Sequence, residues 1–203
     1  MFIQGLTLGL AYLAPVEGTQ ARIIDPQTTI DLGGMAKGYI ADRVIDLLKR
    51  RGATSGVINL GGNVACLGGK PDGDAWNVGL RAPVPSGGSL QAASFTSVSV
   101  RGKSVVTSGV YERAFVHNGR VLHHILDPRT GKPAETDVLS ATVIADKSLD
   151  ADGYTTALIV MGADEALTFA EQTPGIEAIL LTVNARLLQT TGITTKGARL
   201  RLG

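Results

Sequence analysis

Short apolar runs rich in β-branched residues fill the chain between Gly56 and Ile125, and they constrain its fold more than any other feature. Each run is too short for a stable helix and is bounded by glycine, proline or polar residues, which is the pattern of β-strands. The runs read VINLGG, WNVGLRAP, SFTSVSV, SVVTSG, ERAFV and RVLHHIL. The last two flank Asn118 and Gly119, a pair that tolerates the positive φ angles of a type I′ hairpin turn. We therefore expect largely antiparallel sheet in this region.

Helical periodicity occurs on both sides of these strands. The segment MAKGYIADRVIDLLKRRG predicts a helix, because its apolar residues recur at helical spacing and basic residues precede a terminal Gly52. SLDADGYTTALIVMG and ADEALTFAEQ predict two further helices separated near Gly162, while VLSATVIA, IEAILLTV and ARLLQT predict strands. RIIDPQTTID, at residues 22–31, predicts a short hairpin arm. Mixed strands and helices without a βαβ rhythm indicate an α+β fold, with largely antiparallel mixed sheets and packed helices.

The composition excludes several classes of function. Lys and Arg together number 19 against 18 Asp and Glu, so the chain lacks the basic field that binds a nucleic-acid backbone. Its single cysteine, Cys66, excludes an internal disulfide or a cysteine zinc cage and is expected to be a buried, inert thiol. Any metal site would then use oxygen ligands. The apolar N-terminus is too short for a transmembrane segment and lacks the basic start of an export signal.

The first candidate site is DLGGMAKGY, residues 31–39. Gly33 and Gly34 let the backbone approach a ligand just before a helix, where free N–H groups favour an anion. Lys37 lies in the first helical turn, where its charge opposes the helix dipole, so it is better explained as a phosphate ligand than as a stabilising residue. Ordinary helix capping explains the glycine pair equally well when this motif is taken alone.

The second candidate is SVVTSGVYER, residues 104–113. Thr107, Ser108 and Gly109 end a strand with hydroxyl groups and flexible backbone, which suits a phosphate or the edge of a ring. An ordinary transition from strand to turn is the alternative interpretation.

The third candidate is RVLHHILDPRTGKP, residues 120–133, which contains two of the three histidines. Strand alternation would put Leu122, His124 and Leu126 on one face and His123 on the other. A histidine in such a strand is usually a core residue. His124, however, precedes the tight DPRTG turn, where an imidazole that titrates near neutral pH could accept a proton.

The fourth candidate is SLDADGYTTAL, residues 148–158. Asp152 and Thr156 are four residues apart on a predicted helix, so a carboxylate and a hydroxyl share one face. Such hard oxygen ligands suit Mg²⁺. In the alternative interpretation, Ser148 or Asp150 simply caps the helix and Asp152 lies in its first turn.

Taken together and in order, these motifs resemble the ApbE family. The motifs are DLGGMAKGYIAD, VINLGGNV, W-x-VGLRAP, VVTSGVYER, HHILDPRTGKP, LSATVIA and ADGYTTALIVMG. ApbE proteins are Mg²⁺-dependent FAD:protein FMN transferases, so the resemblance implies an ApbE-like fold related to the T-fold. It also implies cleavage of FAD at its pyrophosphate, transfer of FMN to a Ser or Thr hydroxyl of an acceptor flavoprotein, and release of AMP.

The resemblance also implies roles for individual residues. The positions that correspond to FAD contacts are Asp31, Lys37, Thr107, Ser108, Glu112 and the backbone near Leu126. The Gly34 carbonyl, Asp152 and Thr156 would hold Mg²⁺, with Thr155 as a further candidate. His124 would be the base that activates the acceptor hydroxyl.

The resemblance also sets expectations for domain organisation and leaves two alternatives open. Family members carry a longer N-terminal portion before DLGG, so we expect residues 1–203 to form a single ApbE-like domain without that portion. The compartment stays open, because family members are often periplasmic or lipid-anchored and this chain shows no export signal. The same site could also work as an FAD pyrophosphatase that yields FMN and AMP, or as a non-catalytic flavin-binding protein.

Overall fold

This computed structural model describes residues 31–81, 94–117, 120–196 and 199–202. The described residues contain three helices and twelve strands. The helices are α1 (Ala36–Arg50), α2 (Ser148–Met161) and α3 (Ala163–Gln172). The strands are β1 (Gly56–Asn59), β2 (Asn63–Leu67), β3 (Trp76–Arg81), β4 (Ser94–Val100), β5 (Ser104–Gly109), β6 (Ala114–His117), β7 (Arg120–His123), β8 (Val138–Ala145), β9 (Ile176–Thr182), β10 (Leu187–Gln189), β11 (Ile193–Lys196) and β12 (Arg199–Leu202).

These strands form two larger sheets and a separate hairpin. The six-stranded sheet has the order β1-β2-β5-β8-β9-β10, and each pair of adjacent strands in it is antiparallel. The four-stranded sheet has the order β11-β12-β4-β3, in which β12 and β4 are parallel. Strands β6 and β7 pair only with each other.

The six-stranded sheet is buried on both faces. Successive strand residues point to opposite faces, so Val106 and Val143 pack toward α2 and α3, whereas Val105 and Ile144 pack toward the four-stranded sheet. Burial on both sides explains why β8 contains a nearly continuous apolar run rather than an alternating one. The resulting layers are helices, large sheet and small sheet.

Helix α1 has the predicted position, but it does not bury the predicted apolar stripe. Tyr39, Ile40 and Leu47 are exposed, whereas Gly38 and Ala41 are buried. The reason is the close approach of α1 to α2, which only small side chains allow. The predicted basic C-terminal turn is present, with Lys49 and Arg50 in the last turn of α1.

The α+β prediction is confirmed, as are the two helices separated at Gly162 and the pairing of β6 with β7. The predicted arm at residues 22–31 and the turn residues Asn118 and Gly119 lie outside the described residues, apart from Asp31. Strands β11 and β12 were not predicted. Of the helices that the structure describes, none has both the length and the apolar character needed to cross a bilayer.

Candidate active site

The glycine-rich motif folds into an irregular entry to α1. The Asp31 carboxylate accepts a hydrogen bond from the Gly33 N–H at 2.7 Å, which closes a local turn. The Gly38 N–H is one of the first N–H groups of α1, which have no acceptor within the helix, and it donates to Asp152 Oδ2 at 2.9 Å. Gly34 lies just before the N-cap residue Met35, and its carbonyl oxygen takes no part in this hydrogen bond.

Gly38 makes this contact possible because it lets α1 touch the backbone of α2. A Cβ atom at Gly38 would lie 2.5 Å from the Ser148 carbonyl oxygen and 2.7 Å from Leu149 Cα. Both distances are shorter than real carbon atoms tolerate, so a side chain here would push the two helices apart. This role of Gly38 was not predicted from the sequence.

Asp42 ties the same two helices together one turn later. Its carboxylate accepts hydrogen bonds from the Ser148 N–H at 2.8 Å and the Leu149 N–H at 3.0 Å. Two N–H groups that the start of α2 cannot satisfy internally thus bond to a side chain of α1. The alternative in which Ser148 or Asp150 caps the helix is wrong, because the capping position is Lys147 and makes no side-chain cap.

The Asp152 carboxylate is almost completely buried, with 3% of the residue exposed. Burial raises its pKa, and this effect is opposed by the Gly38 hydrogen bond, the charge of Lys37 and the side chain of Asn63. Because burial favours the neutral acid, the carboxylate gains from any further positive charge beside it.

The threonines of α2 differ in their surroundings. Thr155 is fully buried, and its hydroxyl donates to the Asp152 carbonyl oxygen at 2.9 Å. Ser108 at the end of β5 lies 2.8 Å from the same hydroxyl. Since Thr155 already uses its proton, the Ser108 hydroxyl is the donor of that second bond. Thr156 is only half-buried and lies one turn beyond Asp152 on the same helical face.

Glu112 lies in a mainly cationic environment. Burial raises its pKa, and the charges of Lys37, Arg81 and Arg113 counteract that rise. Lys37 also acts electrostatically on Asp152. Lys37 is therefore shared between two carboxylates that come from different elements.

His124 is close to the same cations. His124 is an exposed residue, but partial burial of its ring lowers its pKa, the charges of Arg113, His123 and Lys37 lower it further, and a backbone hydrogen bond with Arg113 opposes the shift. The predicted alternation is wrong here, because β7 ends at His123 and the chain bends at His124. The His123 Nε2 lies 3.1 Å from the Ala134 carbonyl oxygen, so His123 is the histidine that packs against the returning loop.

The DPRTG segment forms the predicted tight turn. Asp127 accepts hydrogen bonds from the backbone and guanidinium of Arg129, and Gly131 has a positive φ of 67°. Leu126 pairs with Pro133 across the base of the turn, which leaves its side chain 36% exposed.

A cleft of about 80 Å³ lies between the two larger sheets. Its wall includes Thr107, Glu112, Arg81, Tyr111 and Asn59. Two residues predicted as flavin contacts thus face a cavity, although the Thr107 hydroxyl also lies 2.8 Å from that of Thr142.

The described residues contain no group of three or more His, Cys, Asp or Glu side chains that could hold a metal ion. A cation bound at Asp152 would therefore have one carboxylate and neutral oxygens as protein ligands. Mg²⁺ accepts such a site, since it keeps several waters and shares substrate phosphates. The residues present fit this ion.

The comparisons with known proteins agree with this architecture. The sequence model of the ApbE family matches residues 10–180. An FAD:protein FMN transferase of Klebsiella pneumoniae (strain 342) is 42% identical over 163 residues, covering 80% of this chain and 48% of that protein. Another from Treponema pallidum (strain Nichols) is 40% identical over 176 residues, covering 82% of this chain and 47% of that protein. The chain thus spans about half the length of the curated relatives it matches.

Solved structures of ApbE proteins also match this chain. The ApbE protein of Thermotoga maritima matches with a TM-score of 0.77 and 30% identity, over 90% of this chain and 58% of that one. The flavinyl transferase ApbE of Pseudomonas stutzeri, in its apo form, matches with a TM-score of 0.74 and 32% identity, over 90% of this chain and 55% of that one. The predicted ApbE-like fold is confirmed.

Proposed function

This chain belongs to the ApbE family, and we propose that it transfers FMN from FAD to a Ser or Thr hydroxyl of an acceptor protein. The reaction depends on Mg²⁺ and releases AMP. Two relatives that are 42% and 40% identical are named FAD:protein FMN transferases, which supports the reaction type.

The contact between the Gly38 N–H and Asp152 Oδ2 is the observation that carries the proposal. It joins two motifs 114 residues apart and brings a buried carboxylate to the helix start that carries Lys37. A carboxylate, the Gly34 carbonyl and a lysine near one helix N-terminus suit a cation and a pyrophosphate bound together.

We assign Asp152, Thr156 and the Gly34 carbonyl as the Mg²⁺ ligands, with Thr155 as a further candidate. Thr156 is the better of the two hydroxyls, because the Thr155 hydroxyl is already committed to the Asp152 carbonyl. When bound, Mg²⁺ supplies positive charge to the phosphate oxygens as negative charge builds on them. Lys37 adds a second positive charge from the first turn of α1.

His124 is the proposed general base. Its lowered pKa leaves the imidazole neutral at neutral pH, so a ring nitrogen can accept the proton of the acceptor hydroxyl. The hydroxyl oxygen forms a bond to the FMN phosphorus as the bond from that phosphorus to the bridging oxygen breaks. AMP leaves with the electron pair of the broken bond.

The remaining proposed FAD contacts surround this centre. They are Asp31, Thr107, Ser108, Glu112 and the backbone near Leu126. Thr107 and Glu112 line the cleft between the sheets, while Ser108 supports α2 through Thr155.

The test is to incubate the protein with FAD, Mg²⁺ and an acceptor flavoprotein and to measure the acceptor mass. We expect the acceptor to gain one FMN, and a chelator should prevent the gain. His124→Ala should abolish transfer while FAD binding persists, and Asp152→Ala should abolish the Mg²⁺-dependent reaction. Free FMN with an unmodified acceptor would instead indicate the pyrophosphatase, and FAD binding without either product would indicate a non-catalytic flavin protein.

A further inference from the structure

Asn63 is a buried polar residue with an incomplete set of hydrogen bonds. It begins β2, is fully inaccessible to solvent, and its Oδ1 accepts a hydrogen bond from the Ser148 Oγ at 2.6 Å. Its Nδ2 is also shielded from solvent, yet it completes no hydrogen bond with any described residue. A buried donor left unpaired is destabilising, so an acceptor is expected beside this amide.

The Asp152 carboxylate is the acceptor that the Asn63 Nδ2 group could bond. Ser148 lies one turn before Asp152 on the same face of α2, so the hydrogen bond from the Ser148 hydroxyl places the Asn63 amide beside the Asp152 carboxylate. An ionised carboxylate only accepts hydrogen bonds, so it is the Nδ2 rather than the Oδ1 of the amide that must face it. The Ser148 hydroxyl fixes this orientation by donating to Oδ1.

We propose that Asn63 is a positioning residue whose amide N–H group holds the Asp152 carboxylate in the orientation that binds the divalent cation. This inference rests on the proposed cation site. In the cation-bound protein, Nδ2 donates to one carboxylate oxygen, and the Gly38 N–H donates to Oδ2 as it already does. The free lone pairs of the carboxylate then point to the cation.

The fold supports this role by making Asn63 rigid. Gly61 and Gly62 precede it with positive φ angles of 61° and 94°, which turn the chain sharply into β2. Asn63 is then paired with Val106 in the centre of the six-stranded sheet. A donor held on a strand orients its partner more precisely than one held on a loop.

The test compares Mn²⁺ affinity, measured by calorimetry on the full chain with FAD present, between wild type and three variants. Asn63→Leu removes the amide at similar volume. Asn63→Asp keeps an acceptor for Ser148 but replaces the donor with oxygen. Thr190→Val is the matched control. Thr190 is also buried, and it accepts a hydrogen bond from the Ala178 N–H near the opposite edge of the six-stranded sheet.

We expect Asn63→Leu and Asn63→Asp to weaken Mn²⁺ binding about 10–100-fold, the usual effect of losing a group that orients a metal ligand. Thr190→Val should change thermal stability but leave Mn²⁺ affinity within twofold. Should Asn63→Asp fail to fold, Asn63→Leu still decides the question.

Equal Mn²⁺ affinity in wild type and Asn63→Leu overturns the inference, and so does wild-type affinity in Asn63→Asp. Those outcomes would restrict Asn63 to a structural role through Ser148. Wild-type protein that binds Mn²⁺ but transfers no FMN would instead refute the proposed function, and the affinity comparison would still test the role of Asn63.

Discussion

Replacing Gly38 with alanine tests how the two halves of the site are joined. The new methyl group would lie 2.5 Å from the Ser148 carbonyl oxygen and 2.7 Å from Leu149 Cα. Backbone atoms cannot rotate away as side chains can, so α1 must move relative to α2. That movement would lengthen the 2.9 Å bond from the Gly38 N–H to Asp152.

The expected cost follows from three contributions. Overpacking of this kind costs about 1–3 kcal/mol, and losing a hydrogen bond to a charged group costs about 1.5–3 kcal/mol. Alanine recovers about 1 kcal/mol through its better helix propensity. The free energy of unfolding should therefore fall by about 1.5–5 kcal/mol, and Tm should fall by roughly 2–4 °C for each kcal/mol.

Gly153→Ala is the matched control in urea denaturation and in Mn²⁺ titration. Gly153 also lies within a helix, but a Cβ there would meet nothing within 4 Å. This variant should gain about 0.5–1 kcal/mol. If Gly38→Ala proved as stable as Gly153→Ala and bound Mn²⁺ like wild type, the close helix contact would not organise the site.

Three further predictions concern acid-base behaviour, helix capping and the thiol. As the proposed base, His124 would have to be neutral, and its pKa is lowered from 6.5, so kcat/KM should fall only as the pH drops below 6.5. An acid limb centred above neutral pH would contradict that proposed role. Asp42→Ala should lower the free energy of unfolding by about 1–2 kcal/mol in urea titrations, because two N–H groups of α2 lose their acceptor, with Asp42→Asn intermediate. An unchanged stability would contradict the capping role. Cys66, whose pKa burial raises to about 11, should resist iodoacetamide at neutral pH until the protein is denatured, and rapid labelling of native protein would contradict its burial.

Local patterns predicted the elements of this fold well. The strand runs, the hairpin pairing of β6 with β7 and the break at Gly162 all follow from periodicity and turn chemistry. Sheet order could not be read in the same way, because β2 pairs with β5 and β5 with β8 across long connections. Strands β11 and β12 escaped prediction, and β12 joins its sheet through a parallel pairing with the distant β4.

The residues of the candidate site were also predicted only in part from the sequence. Sequence placed Lys37, Glu112, His124 and Asp152 among the candidate residues, and the structure brings all four into one electrostatic neighbourhood. The sequence alone could not identify Gly38, because its importance depends on backbone atoms more than one hundred residues away. The small-residue spacing of Gly38 and Ala41 was the available signal, because it marks a face that allows close helix packing.

In the proposed mechanism, the Asp152 carboxylate holds the cation where FAD is cleaved. The most direct measurement is the rate of AMP release from FAD as a function of Mg²⁺ concentration, in wild type and in Asp152→Asn. This substitution keeps an oxygen for the Gly38 N–H and replaces the other carboxylate oxygen with an uncharged NH2 group. We predict a saturable Mg²⁺ dependence in wild type and a requirement more than about 100-fold higher in the variant, beyond the usual effect of losing an indirect partner. Superimposable curves for the two proteins would contradict the claim.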